Sequence, residues 1–342
     1  MQGLIGLLKA AGALMSLEPL LLITAGIIVG ILAGAMPGVS PSMGVALMVP
    51  FTYAMDPSLA LVYLAAIYLA ANYGGSITAV TINTPGTPSA VVTAFDGYPL
   101  AKKGRAGEAL GVSLVASFVG GAVGIIVLIL FSGPLARVAL KFWPAEYFSL
   151  SVLGLSTIAS MGGQNALKSA ISAVLGLLIC TIGMDPVLGV SRFTFGNVNL
   201  FDGFEFIPML IGLLALSEVF AEVEKFDFTA ESVAGSAKAK WPSLVYYWRL
   251  RMSMLRASVI GTIVGIFPGA GATIATFISY DVEKRFSRTP EEFGQGMPEG
   301  VAAAEASNSA SVGGALVPML TLGIPGSATA AVLMGALMIH NL

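Results

Sequence analysis

The sequence is poor in charge, in cysteine and in histidine, and each shortage removes a class of function. Only 11% of its 342 residues are Asp, Glu, Lys or Arg, against about 25% in an ordinary soluble domain. Hydrophobic residues make up 56% and mean hydropathy is +0.86, so the chain reads as a membrane protein. Net charge is −2 and the basic residues form no long run, which argues against nucleic acid as a partner. The single cysteine, Cys180, has no second thiol to pair with, and its place in the apolar run 175–182 reads as a packed thiol. With one cysteine and one histidine, His340, no zinc site of the usual ligands is expected. Neither GxSxG nor HExxH occurs, and the acidic residues Asp96, Glu299 and Glu305 read as solvated carboxylates at span edges. An intramembrane enzyme is therefore the weaker alternative to a carrier. A channel is the nearer one, although no short carbonyl-ring signature is present.

What the chain has in quantity is glycine and proline, 41 and 18 residues, which in so apolar a sequence fit membrane helices with deliberate breaks. The N-terminal stretch MQGLIGLLKAAGALMSLEPL has no basic start and no small-residue cleavage site, and reads as an interfacial lead-in. Crossing the hydrocarbon core takes about 20 mostly apolar residues. Candidate spans are 18–36, 57–73, 109–131, 147–162, 167–183, 207–222, 257–280 and 310–322, with 328–342 as a further apolar segment. The expected fold is an all-α polytopic membrane protein. It has about eight to ten hydrophobic segments, some broken or re-entrant at Pro-Gly, in two related and inverted repeats. Residues 1–221 form the first repeat, 222–256 a basic cytoplasmic connection, and 257–342 an incomplete second repeat. The positive-inside rule puts Lys102, Lys103 and Arg105 on the same side as that connection. The basic group Lys284, Arg285 and Arg288 reaches this side only if 257–280 turns back at Pro268.

The repeat is visible in the residues. GILAGAMPG, containing Pro37 and Gly38, matches GTIVGIFPG, containing Pro268 and Gly269, at a constant spacing of 231. Further on, NYGGSITAVTINTPGT parallels SVGGALVPMLTLGIPGS with one residue gained. That alignment equates the Gly-Gly entries Gly74-Gly75 and Gly313-Gly314, and the second breaks Pro85-Gly86 and Pro325-Gly326. Backbone groups freed at such breaks cannot face lipid, because each unsatisfied group costs several kcal/mol. Paired breaks in two halves are the sequence-level pointer to a transporter's binding site. Half-helix N-termini there offer N–H donors and positive dipole ends to an anion.

Candidate contacts in the first half are Ser40, Asn72, Ser76, Asn83, Thr84 and Thr87. Those in the second are Gly271, Asn308 and Ser327. No Lys or Arg lies in the break segments, so an anion would be held by amides and neutral donors. For any single Ser or Thr, the plain alternative is a bond back to its own helix carbonyl.

At these residues the sequence resembles the large membrane subunit of the tripartite tricarboxylate transporters, the TctA-type permeases. The matching text is GAMPGVSP, YGGSITAVTINTPGTPSAVVTAFDGYPLAKKGRAGEAL, GIFPGAGATIATFISYDVEKRFSRTPEEFGQGMPEGVAAAEA and GGALVPMLTLGIPGSATAAVLMGALMIH. Ala304 and Ser309 stand where the family pattern has Pro and Asn. The resemblance implies a multi-pass protein of the bacterial inner membrane that imports tricarboxylate or related carboxylate anions by secondary active transport. It implies a cation gradient, Na+ or H+, and no resident cofactor. It further implies a small membrane subunit and a periplasmic solute-binding protein as partners. Family permeases continue for several helices past GALMIHNL.

Overall fold

In the computed structural model the described residues are 9–36, 38–141, 166–184, 190–201, 242–267 and 271–340, with scattered positions in 143–152 and 203–220. They are almost wholly helical. In chain order the helices are α1 (Leu17–Ala35), α2 (Pro41–Met48), α3 (Pro57–Ile82), α4 (Val91–Leu100), α5 (Ala106–Ala139) and α6 (Ala166–Cys180). They continue with α7 (Leu244–Arg249), α8 (Arg251–Ile266), α9 (Gly271–Phe286), α10 (Pro298–Leu322) and α11 (Ala328–Ile339). The described strands are a two-residue pair, Gly183–Met184 with Ser191–Arg192. Leu17–Ala35, Pro57–Ile82 and the continuous stretch Pro88–Arg137 are long and apolar enough to cross a membrane. Leu21, Ile28 and Leu32 of α1 and Phe118, Ile126 and Leu130 of α5 face outward. Apolar exposure on that scale suits a lipid environment.

Glycine spacing sets the packing. Gly26, Gly30 and Gly34 lie one turn apart on α1 and meet the backbone of Tyr63, Ile67 and Ala71 on α3, so the two helices run parallel. A Cβ on Gly34 would sit 1.9 Å from the Ala71 carbonyl oxygen, which only glycine permits. Gly261 and Gly265 of α8 meet Ser307 and Ser311 of α10 in the same way. Each long helix of a pair then ends alike. Asn83 caps α3 in the left-handed region at φ 55, and Gly323 caps α10 at φ 67. The N–H of Thr84 reaches the Thr78 carbonyl at 3.4 Å, and that of Ile324 reaches Pro318 at 3.3 Å. Gly86 N–H bonds Gly75 at 3.1 Å, and Gly326 N–H bonds Ala315 at 3.4 Å.

These equivalences correct the register read from the sequence. Residues 72–87 match 312–327 without a gap, so Gly74 corresponds to Gly314 and Gly75 to Ala315. The Gly-Gly pairs are not entries to a helix; they lie inside α3 and α10, where backbones approach closely. The helix from Pro57 continues to Ile82, and α10 starts at Pro298 rather than near 310. The polar residues between are thus on helices, held in register by packing. Asp96 lies within α4, not in a loop. The segment 257–280 is two helices. Arg256 near the start of α8 pairs with Glu283 near the end of α9 at 2.8 Å, and Ser253 Oγ donates to Glu283 at 2.6 Å. The chain therefore turns back between Ile266 and Gly271. Pro37, Pro268 and Gly269 themselves, the spans 147–162 and 207–222, and most of the 222–256 connection lie outside the described residues. Cys180 is exposed on α6 rather than packed.

Candidate functional site

Serine and threonine just ahead of a helix favour capping, because the side-chain oxygen accepts an orphan N–H of the first turn. Ser40 does this for α2, accepting from Met43 N–H at 3.2 Å, and Ser327 for α11, accepting from Ala330 N–H at 3.1 Å. Thr87 precedes the single turn Pro88–Ala90 that leads into α4, and Gly271 opens α9 with φ 61. The first turns of α2, α9 and α11 and the Thr87–Ser89 turn ahead of α4 converge on one cavity of about 340 Å³, closed on a further side by Tyr68 and Asn72 of α3. The lining falls into repeat-related pairs, 40–42 with 271–273 and 87–89 with 327–329.

Its polar atoms are hydroxyls and amides. Ser40 and Ser42 share a hydrogen bond at 2.8 Å, Thr87 and Ser89 one at 3.2 Å, and Tyr68 with Ser327 one at 2.7 Å. Among the described residues no Asp, Glu, Lys, Arg or His lines the space. The N-termini of three helices, α2, α9 and α11, border a pocket to which the described residues bring no fixed negative charge. That arrangement is fitted to an anion, and its volume lies in the usual range of roughly 300–1,000 Å³ for small-molecule sites.

Of the residues singled out from the sequence, Ser40, Asn72, Thr87, Gly271 and Ser327 meet at this cavity. Gly38 makes the left-handed turn ahead of α2 at φ 88. Asn83 and Pro85 line a separate, more open hollow with Phe95 and Tyr98. Thr84 bonds its hydroxyl to Ile82, and Pro325 lies in the turn between α10 and α11. Gly74, Gly75, Gly86, Gly313, Gly314 and Gly326 are contact points where a Cβ would strike a neighbouring segment. Asn308 donates to the Asn72 carbonyl at 3.4 Å. Thr78, Thr81, Ser311 and Thr321 bond back to carbonyls three or four residues earlier on their own helices.

Two carboxylates read as solvated are fully buried. Asp96 Oδ1 accepts N–H bonds from Gly294, Gly296 and Met297 at 2.7–2.9 Å. Its Oδ2 accepts from the Tyr280 hydroxyl at 2.7 Å. The glycines of GQGMPEG serve this clasp: Gly296 takes φ 102, and a Cβ on Gly300 would stand 2.2 Å from Asp96 Oδ2. Glu305, in the middle of α10, accepts hydroxyl bonds from Ser76 at 2.5 Å, from Ser117 at 3.0 Å and from Thr93. Sequence reading missed these because the partners lie about 190–230 residues away. Tyr68 was missed as well, with no signal to separate it from the other aromatics of an apolar run.

The family model for the tripartite tricarboxylate transporter TctA family matches residues 20–342. An uncharacterised 52.8 kDa protein from the TAR-I ttuC' 3' region of Agrobacterium vitis is 40% identical over 298 residues, covering 87% of this chain and 59% of that protein. A protein from the TAR-II ttuC' 3' region of the same organism is 43% identical over 82 residues, 24% of this chain and 34% of its own. The chain thus spans about 59% of the length of the first of these relatives. No solved structure matches it. A membrane-type helical fold, the paired helix breaks and the family match agree: the chain belongs to the tripartite tricarboxylate transporter TctA family.

Proposed function

We propose that this chain carries the substrate site of a secondary active importer of tricarboxylate or related carboxylate anions. It works in the bacterial inner membrane, takes up solute delivered by a periplasmic binding protein, and operates beside a small membrane subunit under a Na+ or H+ gradient. The observation that carries this reading is the cavity of about 340 Å³ at the starts of α2, α9 and α11, lined among the described residues without a charged side chain. A carboxylate needs donors and positive potential, and the first turns of α2, α9 and α11 supply both. Binding through backbone dipoles also leaves the described lining of the cavity uncharged once the anion departs.

The repeat supports alternating access. The α3 and α10 helices cross antiparallel, with Asn72 against Asn308 and Ser76 against Glu305, the polarity that an inverted repeat requires. The cavity sits where both halves contribute equivalent turns, the place at which rocking of one half against the other would change access.

Proteoliposomes holding the transporter with its small subunit, supplied with loaded binding protein, should take up labelled citrate or another short di- or tricarboxylate saturably. Uptake should collapse when the cation gradient is dissipated. Linear flux indifferent to the gradient would make the protein a channel instead.

A further inference from the structure

We propose that Glu305 is a proton-binding site coupled to occupancy of the cavity, so that a proton on this carboxyl and an anion in the cavity favour each other. The inference rests on the substrate site argued above and names the coupling ion for it.

Glu305 is fully buried and enclosed by hydroxyls from three other helices. Ser76 of α3, Thr93 of α4 and Ser117 of α5 bond it directly. Ser113, one turn before Ser117, is a further buried hydroxyl on α5 and makes no hydrogen bond. The described residues give it no cationic partner. Nearby charges are engaged elsewhere: Asp96 of α4 by the turn before α10, Glu108 of α5 by Arg105, and Glu283 of α9 by Arg256 of α8. Tyr73 of α3 is the remaining titratable group that interacts with it among the described residues. A carboxylate so placed must be neutralised by a proton or a small cation, since an isolated buried charge is prohibitively costly.

The contacts suit a proton. Ser76 and Thr93 reach one carboxyl oxygen and Ser117 the other, so a carboxyl hydrogen on either oxygen has a hydroxyl beside it that can turn to accept it.

Position supplies the coupling. On two segments the cage stands one turn from the cavity wall, Ser76 from Asn72 and Thr93 from Ser89, and Glu305 lies one turn from Asn308, which bonds the wall residue Asn72. An anion in the cavity and an ionised Glu305 repel across that single turn, so binding of either partner draws in the other.

The repeat provides an internal control. By the 240-residue equivalence, Glu305, Ser76 and Thr93 correspond to Ala65, Leu316 and Leu333. The last two join an apolar cluster with Leu64 and Ile67. The crossing therefore packs without a carboxyl or hydroxyls at these positions, and the polar cage is an addition on one side only.

Two measurements on the purified transporter decide it. Infrared difference spectra across a pH titration should show a protonated-carboxyl band, lost as pH rises, that is absent from Glu305→Gln. Citrate affinity should fall with rising pH more steeply in the wild type than in Glu305→Gln, by up to about tenfold per pH unit for one linked proton; citrate's own titration is common to both. Na+ should not substitute. Glu305→Asp should keep the band and the linkage, which guards against loss of fold. An unchanged carboxyl band in Glu305→Gln, or a slope set by Na+ rather than pH, overturns the proposal. Absence of citrate binding with the Glu305 band present would instead count against the substrate site.

Discussion

Asp96 concentrates in one carboxylate what holds the turn before α10. Its Oδ1 takes three backbone N–H groups and its Oδ2 the Tyr280 hydroxyl, so four donors would be stranded without it. A buried donor left unpaired costs about 1–3 kcal/mol. Asp96→Ala should therefore lower stability by several kcal/mol, read as a large fall in thermal unfolding temperature in detergent. Asp96→Asn keeps one acceptor oxygen and should lose much less. Equal losses for the two would mean that the clasp does not matter. At this scale the sequence was partly legible. Ser40 and Ser327 stand out beside the breaks as candidate contacts, and both line the cavity. Asp96 and Glu305 did not, because a lone acid in an apolar chain carries no mark of how far off its partners are. Burial of a charge is a property of tertiary structure.

At the scale of elements, the ends of α3 and α10 perform the same task with different residues. Asn83 holds φ 55 and Gly323 φ 67, and the left-handed region costs a side chain roughly 1 kcal/mol that glycine does not bear. Asn83→Gly should leave thermal stability unchanged or slightly raised, while Gly323→Ala should reduce it by about 1 kcal/mol, measured by thermal unfolding of each variant. The reverse order would show that the two ends are not equivalent. The Pro-Gly breaks were readable as breaks, since the ring and the missing side chain act locally. Helix limits were not. Hydropathy drops at Asn72 and again over 298–309, and a span read from hydropathy stops there; yet α3 and α10 run straight through, because their polar faces meet each other instead of lipid. The one-residue slip in aligning the halves has a similar cause. Matching by glycine identity paired Gly75 with Gly314, whereas packing equates Gly74 with Gly314, each against the parallel neighbour of its own half.

For the whole molecule, the architecture is a crossing of two long helices, each backed by a parallel glycine-faced partner, with the starts of α2, α9 and α11 and the turn ahead of α4 gathered around the crossing. The glycine seams between α1 and α3 and between α8 and α10 fix each half, as a Cβ on Gly34 or Gly265 would collide with backbone. A third seam ties the halves together, where Gly120 and Gly124 of α5 meet the backbone of Ala306 and Ala310 of α10. The proposed carboxylate site lies beside a different contact between the halves, the one made by Asn72 and Asn308. The most direct test is equilibrium binding of labelled citrate to the purified transporter in nanodiscs. The account predicts saturable binding that weakens about tenfold or more when Thr87→Val and Ser327→Ala are combined, as expected for lost hydrogen bonds to a charged ligand, while Asn83→Ala in the separate hollow leaves it intact. Binding unaffected by the paired cavity substitutions, or abolished by Asn83→Ala alone, would contradict it.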